Sequence, residues 1–201
     1  MTEPERQKLA HAVSFALAAH AGQTRKGTSI PYASHLLQVV GLVFEHGGDV
    51  DQAIAAVLHD VLEDCEGIEI EEIQRHFGAD VARIVLVCTD LLPGDRPDAK
   101  SEWSLRKRDH LERLRQADAR AQLVAACDKL HNLRTLVADL QAEGLATLER
   151  FSATPAQTRW YHEKLRLAVT PALPPRLLRE LDALLEALRE WVPEAHPERR
   201  A

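Results

Sequence analysis

The stretch Ala53-Ile54-Ala55-Ala56-Val57-Leu58-His59-Asp60-Val61-Leu62-Glu63-Asp64 decides how the rest of the chain is read. An apolar run ends in two steps rich in His, Asp and Glu. Placed on a helix at about 100° per residue, His59 lies over Glu63 and Asp60 over Asp64, because residues four apart share a face. The four polar groups then fall within an arc of roughly 140°. Like charges at that spacing repel, and burial beside an apolar run is costly unless something positive sits between them. A divalent metal ion is the simplest such thing. An exposed acidic helix end with a capping role is the alternative.

Working outward, Leu9, Val13, Ala16, Leu17 and His20 form a helical stripe over about residues 4–21. The polar break Ala21-Gly22-Gln23-Thr24-Arg25-Lys26-Gly27-Thr28 follows. Arg25 and Lys26, side by side between two glycines, are suited to gripping a phosphate or to lying in a solvated loop. Pro31-Tyr32-Ala33-Ser34-His35 opens a second helix that runs through Leu37, Val40, Val43 and Phe44 and stops at Gly47-Gly48. His35 sits early on that apolar helix, where an imidazole is either a satisfied core group or a ligand. Asp49 or Asp51 can cap the helix that carries His59 and Asp60.

Downstream, Glu69–Phe77 and Ala79–Cys88 read as two short helices separated by Gly78, and Leu92–Pro97 reads as a loop. The helix from Trp103 to Leu114 is basic: a solvated face or a positive rim above an acidic site. The second informative helix is Ala121–Leu140. In it, Asp128 follows a small and apolar run, which is costly unless the carboxylate is paired or bound to metal, and Asn132 lies one turn on. Glu143–Phe151 is a connector and Pro155–Val169 an amphipathic helix. Leu177, Leu181, Leu184, Leu185 and Leu188 form a Leu stripe that packs on the body or on a second copy in a homodimer. There is no alternating strand pattern, repeat or low-complexity tract. The expectation is an all-α bundle of about eight to ten helices, one domain over 1–192, with a disordered tail over 193–201.

Composition agrees. Aromatics are only 4% of 201 residues, so Leu, Val, Ile and Ala must build the core, which suits helices better than a sheet. A net charge of −6 and the lack of a binding motif argue against a nucleic-acid partner. Cys65, Cys88 and Cys127 are odd in number and match no zinc-binding spacing, so reduced thiols are expected. With no secretory h-region and no membrane-spanning apolar run, no membrane association and a cytoplasmic location are the expectations.

Two imidazoles and two carboxylates, His35, His59, Asp60 and Asp128, form a set suited to Mn²⁺, Fe²⁺ or Zn²⁺ with positions left open. The order His…His-Asp…Asp resembles the HD-type metal-dependent phosphohydrolases. The surrounding words Ala19–Gly27, Pro31–His35, Leu58–Asp64 and Asp128-Lys129-Leu130-His131-Asn132 resemble the hydrolase domain of the RelA/SpoT family over roughly residues 5–170. With no room in 201 residues for that family's synthetase and regulatory domains, the expectation is a resemblance to the single-domain members, the small alarmone hydrolases. The resemblance implies a small-molecule nucleotide substrate and removal of the 3′-pyrophosphate from guanosine tetra- or pentaphosphate, with Mn²⁺ as the metal. It implies that His35, His59, Asp60 and Asp128 hold the metal and that Glu63 and Asp64 orient and deprotonate the attacking water. Arg25 and Lys26 would meet the phosphates and nucleotide, and Asn132 the ribose. Other 2′- or 3′-phosphorylated nucleotides, such as NADPH or the adenosine alarmone, are alternative substrates, and a non-catalytic nucleotide-sensing module is the alternative in another class. Three departures stand out: Leu36 where the family has Pro, Cys65 where it has Thr, and Asp90 in place of a common Lys.

Overall fold

The structure is a computed structural model that describes residues 1–170 and 172–193. Pro193 is its last described residue, so the rest of the expected C-terminal tail, 194–201, lies outside the described residues. Regular structure among them is all helical: α1 (Glu3–Ala19), α2 (Ala33–Glu45), α3 (Val50–Leu58), α4 (Val61–Asp64), α5 (Ile70–Phe77), α6 (Ala79–Cys88), α7 (Trp103–Gln116), α8 (Ala119–Glu143), α9 (Pro155–Ala168) and α10 (Pro175–Trp191), with a 3-10 segment over Gly144–Arg150 between α8 and α9. Among the described residues the strand-like pairings are two isolated bridges, Thr24 with Pro31 and Arg96 with Ala99. The first of them pins the Arg25–Lys26 loop into a closed turn.

Several helix starts follow from local chemistry. Thr2, Asp49 and Thr154 each accept a hydrogen bond from the backbone three residues on, and the side chains of Glu5, Gln52 and Gln157 accept one from the cap residue's own amide. Asp49 is therefore the cap of α3, while Asp51 pairs with Lys8 of α1. Asp118 caps α8 by accepting from the Ala121 amide.

The centre of the molecule is α3. Ala53 through Leu58 have no exposed surface, because α1, α2, α6 and α8 enclose the helix. Each fully buried Ile, Val or Leu contributes about 1.5–3 kcal/mol of hydrophobic stabilisation. The 25-residue α8 is the second axis, about 37 Å long at 1.5 Å per residue. Its apolar face packs on α2, α3 and α6, and α10 lies along it. Leu177, Leu181, Leu185 and Leu188 are buried in that last contact, so most of the Leu stripe is used within the chain.

Two local expectations change. Leu17 is 41% exposed; α1 instead turns Ala12 and Ala16 inward, and two small residues let it lie close against α3. The stretch 53–64 is not one helix. Hydrogen bonding stops at Leu58, His59 and Asp60 form a turn with helical dihedrals, and α4 restarts at Val61. That turn re-aims the polar groups at the end of the most deeply buried helix.

The α2–α3 corner uses its two glycines differently. Gly47 has φ +82°, a conformation that favours glycine. At Gly48 a Cβ would collide with Val43 Cγ1 and lie 2.9 Å from the Val43 carbonyl oxygen. Gly48→Ala should therefore destabilise the fold by about 1–3 kcal/mol through overpacking, read as a lower urea midpoint with an unchanged m-value.

Candidate metal centre and substrate cavity

Three helical segments meet at one point. His35 comes from the first turn of α2, His59 and Asp60 from the α3–α4 turn, and Asp128 from the middle of α8. His35 Nε2 lies 3.3 Å from His59 Nε2, 3.3 Å from Asp128 Oδ1 and 3.6 Å from Asp60 Oδ2. His59 Nε2 lies 3.0 Å from Asp60 Oδ2 and 3.5 Å from Asp128 Oδ1. Ligands about 2.0–2.2 Å from one divalent ion, at octahedral to tetrahedral angles, stand about 2.8–3.6 Å apart. The spacing of these donors fits such an ion, and His35, His59 and Asp128 form a buried cluster that can hold one.

The neighbours orient the donors. His59 Nδ1 donates to the Ala56 carbonyl at 2.7 Å, which turns Nε2 toward the cluster. The Tyr32 hydroxyl donates to Asp60 Oδ2 at 2.5 Å. Asp128 offers Oδ1 to the cluster and Oδ2 to Lys129, 2.6 Å away, while Asn132 Nδ2 donates to Oδ1 at 2.7 Å. Burial opposes ionisation of both Asp60 and Asp128. It is outweighed by His59 and His35 at Asp60, and by Lys129, His59 and His35 at Asp128, so both carboxyls are held well below the usual range. Burial likewise opposes charge on His59, yet Asp60 and Asp128 pull that imidazole well above its usual range. The donor set therefore attracts positive charge, as a cation site must.

Glu63 and Asp64 do not join this cluster. After the turn at His59-Asp60 they share a different cation: Lys100 Nζ stands 3.1 Å from Glu63 Oε1 and 3.1 Å from Asp64 Oδ1. The positive charge between these two carboxylates is thus a lysine from the loop before α7. Burial, then the Asp60 carboxylate, push Glu63 up, while Lys100 and Lys107 pull against them. Asp90 is buried; it accepts from Arg106 and Lys107, and its own amide donates to Glu63 Oε2 at 3.2 Å. The basic face of α7 is accordingly not all solvated, because Arg106 and Lys107 turn inward to satisfy that carboxylate.

Beside the cluster opens a cavity of about 870 Å³. Arg25, Lys26 and Asn132 line one side, Lys107, Lys129 and Tyr161 another, and Asp64 and Tyr32 lie on its wall near the donors. Arg25 Nη2 donates to Asn132 Oδ1 at 3.0 Å, so Asn132 links the Arg25 loop to Asp128. Lys107 lies 4.5 Å above the Tyr161 ring. Lys129 is held well above the usual lysine range by Asp128, against the effect of burial. The cavity is thus a basic channel beside an acidic, cation-seeking centre. Sequence reasoning missed Lys100, Lys107, Lys129, Tyr32 and His131 as site residues; Lys129 and His131 flank the Asp128 motif and carried the clearest signal.

An all-helical frame that gathers a His, a His-Asp pair and a distant Asp around one point is the architecture of an HD-type metal-dependent hydrolase. The HD-domain model matches residues 12–152. The guanosine-3′,5′-bis(diphosphate) 3′-pyrophosphohydrolase MESH1 of Xenopus tropicalis is 40% identical over 131 residues, 64% of this chain and 69% of that protein. The Homo sapiens MESH1 is 36% identical over 135 residues, 66% of this chain and 71% of the relative. A solved structure of a metazoan SpoT ortholog that hydrolyses ppGpp superposes with a TM-score of 0.72 at 28% identity, covering 89% of this chain and 94% of that one. The chain belongs to the HD-domain family, in the group that contains MESH1.

Asp128→Ala should abolish tight binding of a divalent cation, since it removes one donor and leaves Lys129 unpaired. Elemental analysis after Mn²⁺ loading and dialysis should give less than about a tenth of the wild-type metal content, consistent with the loss expected on removing a ligand rather than an outer contact.

Proposed function

We propose that the protein is a pyrophosphohydrolase that releases pyrophosphate from the 3′ position of guanosine tetra- and pentaphosphate, leaving GDP and GTP, with Mn²⁺ as its cation. The observation that carries the reading is the juxtaposition of two imidazole nitrogens, each 3.0–3.6 Å from oxygens of Asp60 and Asp128, with a basic cavity and a separate pair of carboxylates. The relatives' names and the ppGpp hydrolysis by the SpoT ortholog give the substrate class.

His35, His59, Asp60 and Asp128 hold the cation, which when bound supplies Lewis-acid polarisation of a phosphoryl group and eases deprotonation of water. Arg25, Lys26, Lys107 and Lys129 bind the phosphates and neutralise their charge. Glu63, raised by burial and by Asp60, is the group set to take the proton of the attacking water. The water oxygen bonds to the phosphorus next to O3′, the O3′–P bond breaks, and O3′ leaves with a proton. Asp64 and Lys100 hold Glu63 in register, and Asn132 positions the ribose end of the substrate.

Two expectations follow. Glu63→Gln should keep the metal and lower kcat by about 10²–10⁴-fold, the usual contribution of a positioned acid–base group; retained turnover would reassign the base. In a panel of guanosine tetraphosphate, its adenosine counterpart, NADPH and GTP with Mn²⁺, pyrophosphate should come fastest from guanosine tetraphosphate. Tight binding of that nucleotide with no pyrophosphate released would support a sensing module instead.

A further inference from the structure

The two imidazoles of the cluster are oriented by neighbours of different kinds. His59 Nδ1 faces the Ala56 carbonyl, which can only accept, so that nitrogen carries a proton whatever the state of Nε2. His35 Nδ1 faces another ring nitrogen, His131 Nδ1, at 2.8 Å. Only one proton fits between them, and either ring can supply it. The rings are 4.7 Å apart at 49°, and both residues are buried. His131 Nε2 is buried with no hydrogen-bond partner, so no protein group fixes which of its nitrogens is protonated.

We propose that His131 is the positioning residue that sets His35 as a metal ligand: its Nδ1 accepts the His35 Nδ1 proton and so leaves His35 Nε2 free for the cation. The inference rests on the metal-centre reading above. A cation at His35 Nε2 takes the ring's lone pair there, so the His35 proton must sit on Nδ1 and point at His131. His131 is then neutral with its own proton on Nε2. In the opposite arrangement His131 donates and His35 carries its proton on Nε2, aimed at Asp128 Oδ1 3.3 Å away, where it occupies the place of the ion. His131 and Asp128 share a face of α8 three residues apart, so one helix supplies both a ligand and the group that prepares another ligand. An outer partner of this kind is worth roughly 10–100-fold in metal affinity.

The test uses Zn²⁺, which is diamagnetic, and protein labelled with ¹⁵N at histidine. In the Zn²⁺-loaded wild type, the spectra should show His35 protonated at Nδ1 and His131 protonated at Nε2. His131→Leu should weaken Zn²⁺ binding about 10–100-fold by calorimetry, and His131→Asn, whose side-chain carbonyl can accept from His35, should restore most of it. Both variants remove the ring and share the packing loss, so only the acceptor separates them. Binding within twofold of wild type for His131→Leu, or a His131 proton on Nδ1 in the loaded protein, would overturn the proposal. A wild type that binds no Zn²⁺ would instead sink the metal-centre reading itself.

Discussion

Asp60 and Asp128 stand with two imidazoles inside a space a few ångströms across, in the interior of the protein. Two carboxylates so placed repel each other and have lost most of their water. The rest of the fold answers that constraint. The donors are carried by buried helices: α3 is enclosed by α1, α2, α6 and α8, and α8 is 25 residues long. The charge is answered by Lys129, by the Tyr32 hydroxyl and by a proton drawn to His59. A divalent ion answers it most fully, and the geometry is already spaced for one.

The three acidic groups that follow Leu58 have different partners. Asp60 and Asp64 stay one helical turn apart, the Asp64 amide donating to the Asp60 carbonyl at 2.9 Å, yet their carboxylates meet different neighbours. Asp60 stands with the imidazoles, while Glu63 and Asp64 share Lys100. Glu63 gains from this separation: close enough to Asp60 to be raised, it is also tied to Lys100, which holds its side chain in place.

The segment between α6 and α7 shows how a charge substitution can be absorbed. An acidic residue at position 90 would be unfavourable beside Glu63 on its own. Arg106 and Lys107 come in from α7 to neutralise it, and Lys107 also reaches the Tyr161 ring at the cavity wall. The positive charge missing from the local motif is thus restored by residues some sixteen positions away.

How much of this was legible in the chain itself can be read residue by residue. The low aromatic content, the 3.6-residue apolar stripes and the capping residues determined an all-helical protein, because helix periodicity and caps are local properties. The motifs around His35, His59, Asp60 and Asp128 named the residues that the fold draws to one point. Sequence could not show that the helix breaks at His59-Asp60, nor that Lys100 bridges Glu63 and Asp64, nor that Leu17 faces outward. Those outcomes depend on which surfaces meet after the chain has packed, and a charge finds its partner by distance in space rather than along the sequence. Only the tertiary structure, by bringing α2, α3 and α8 together, decided which carboxylates face the imidazoles and which face a lysine.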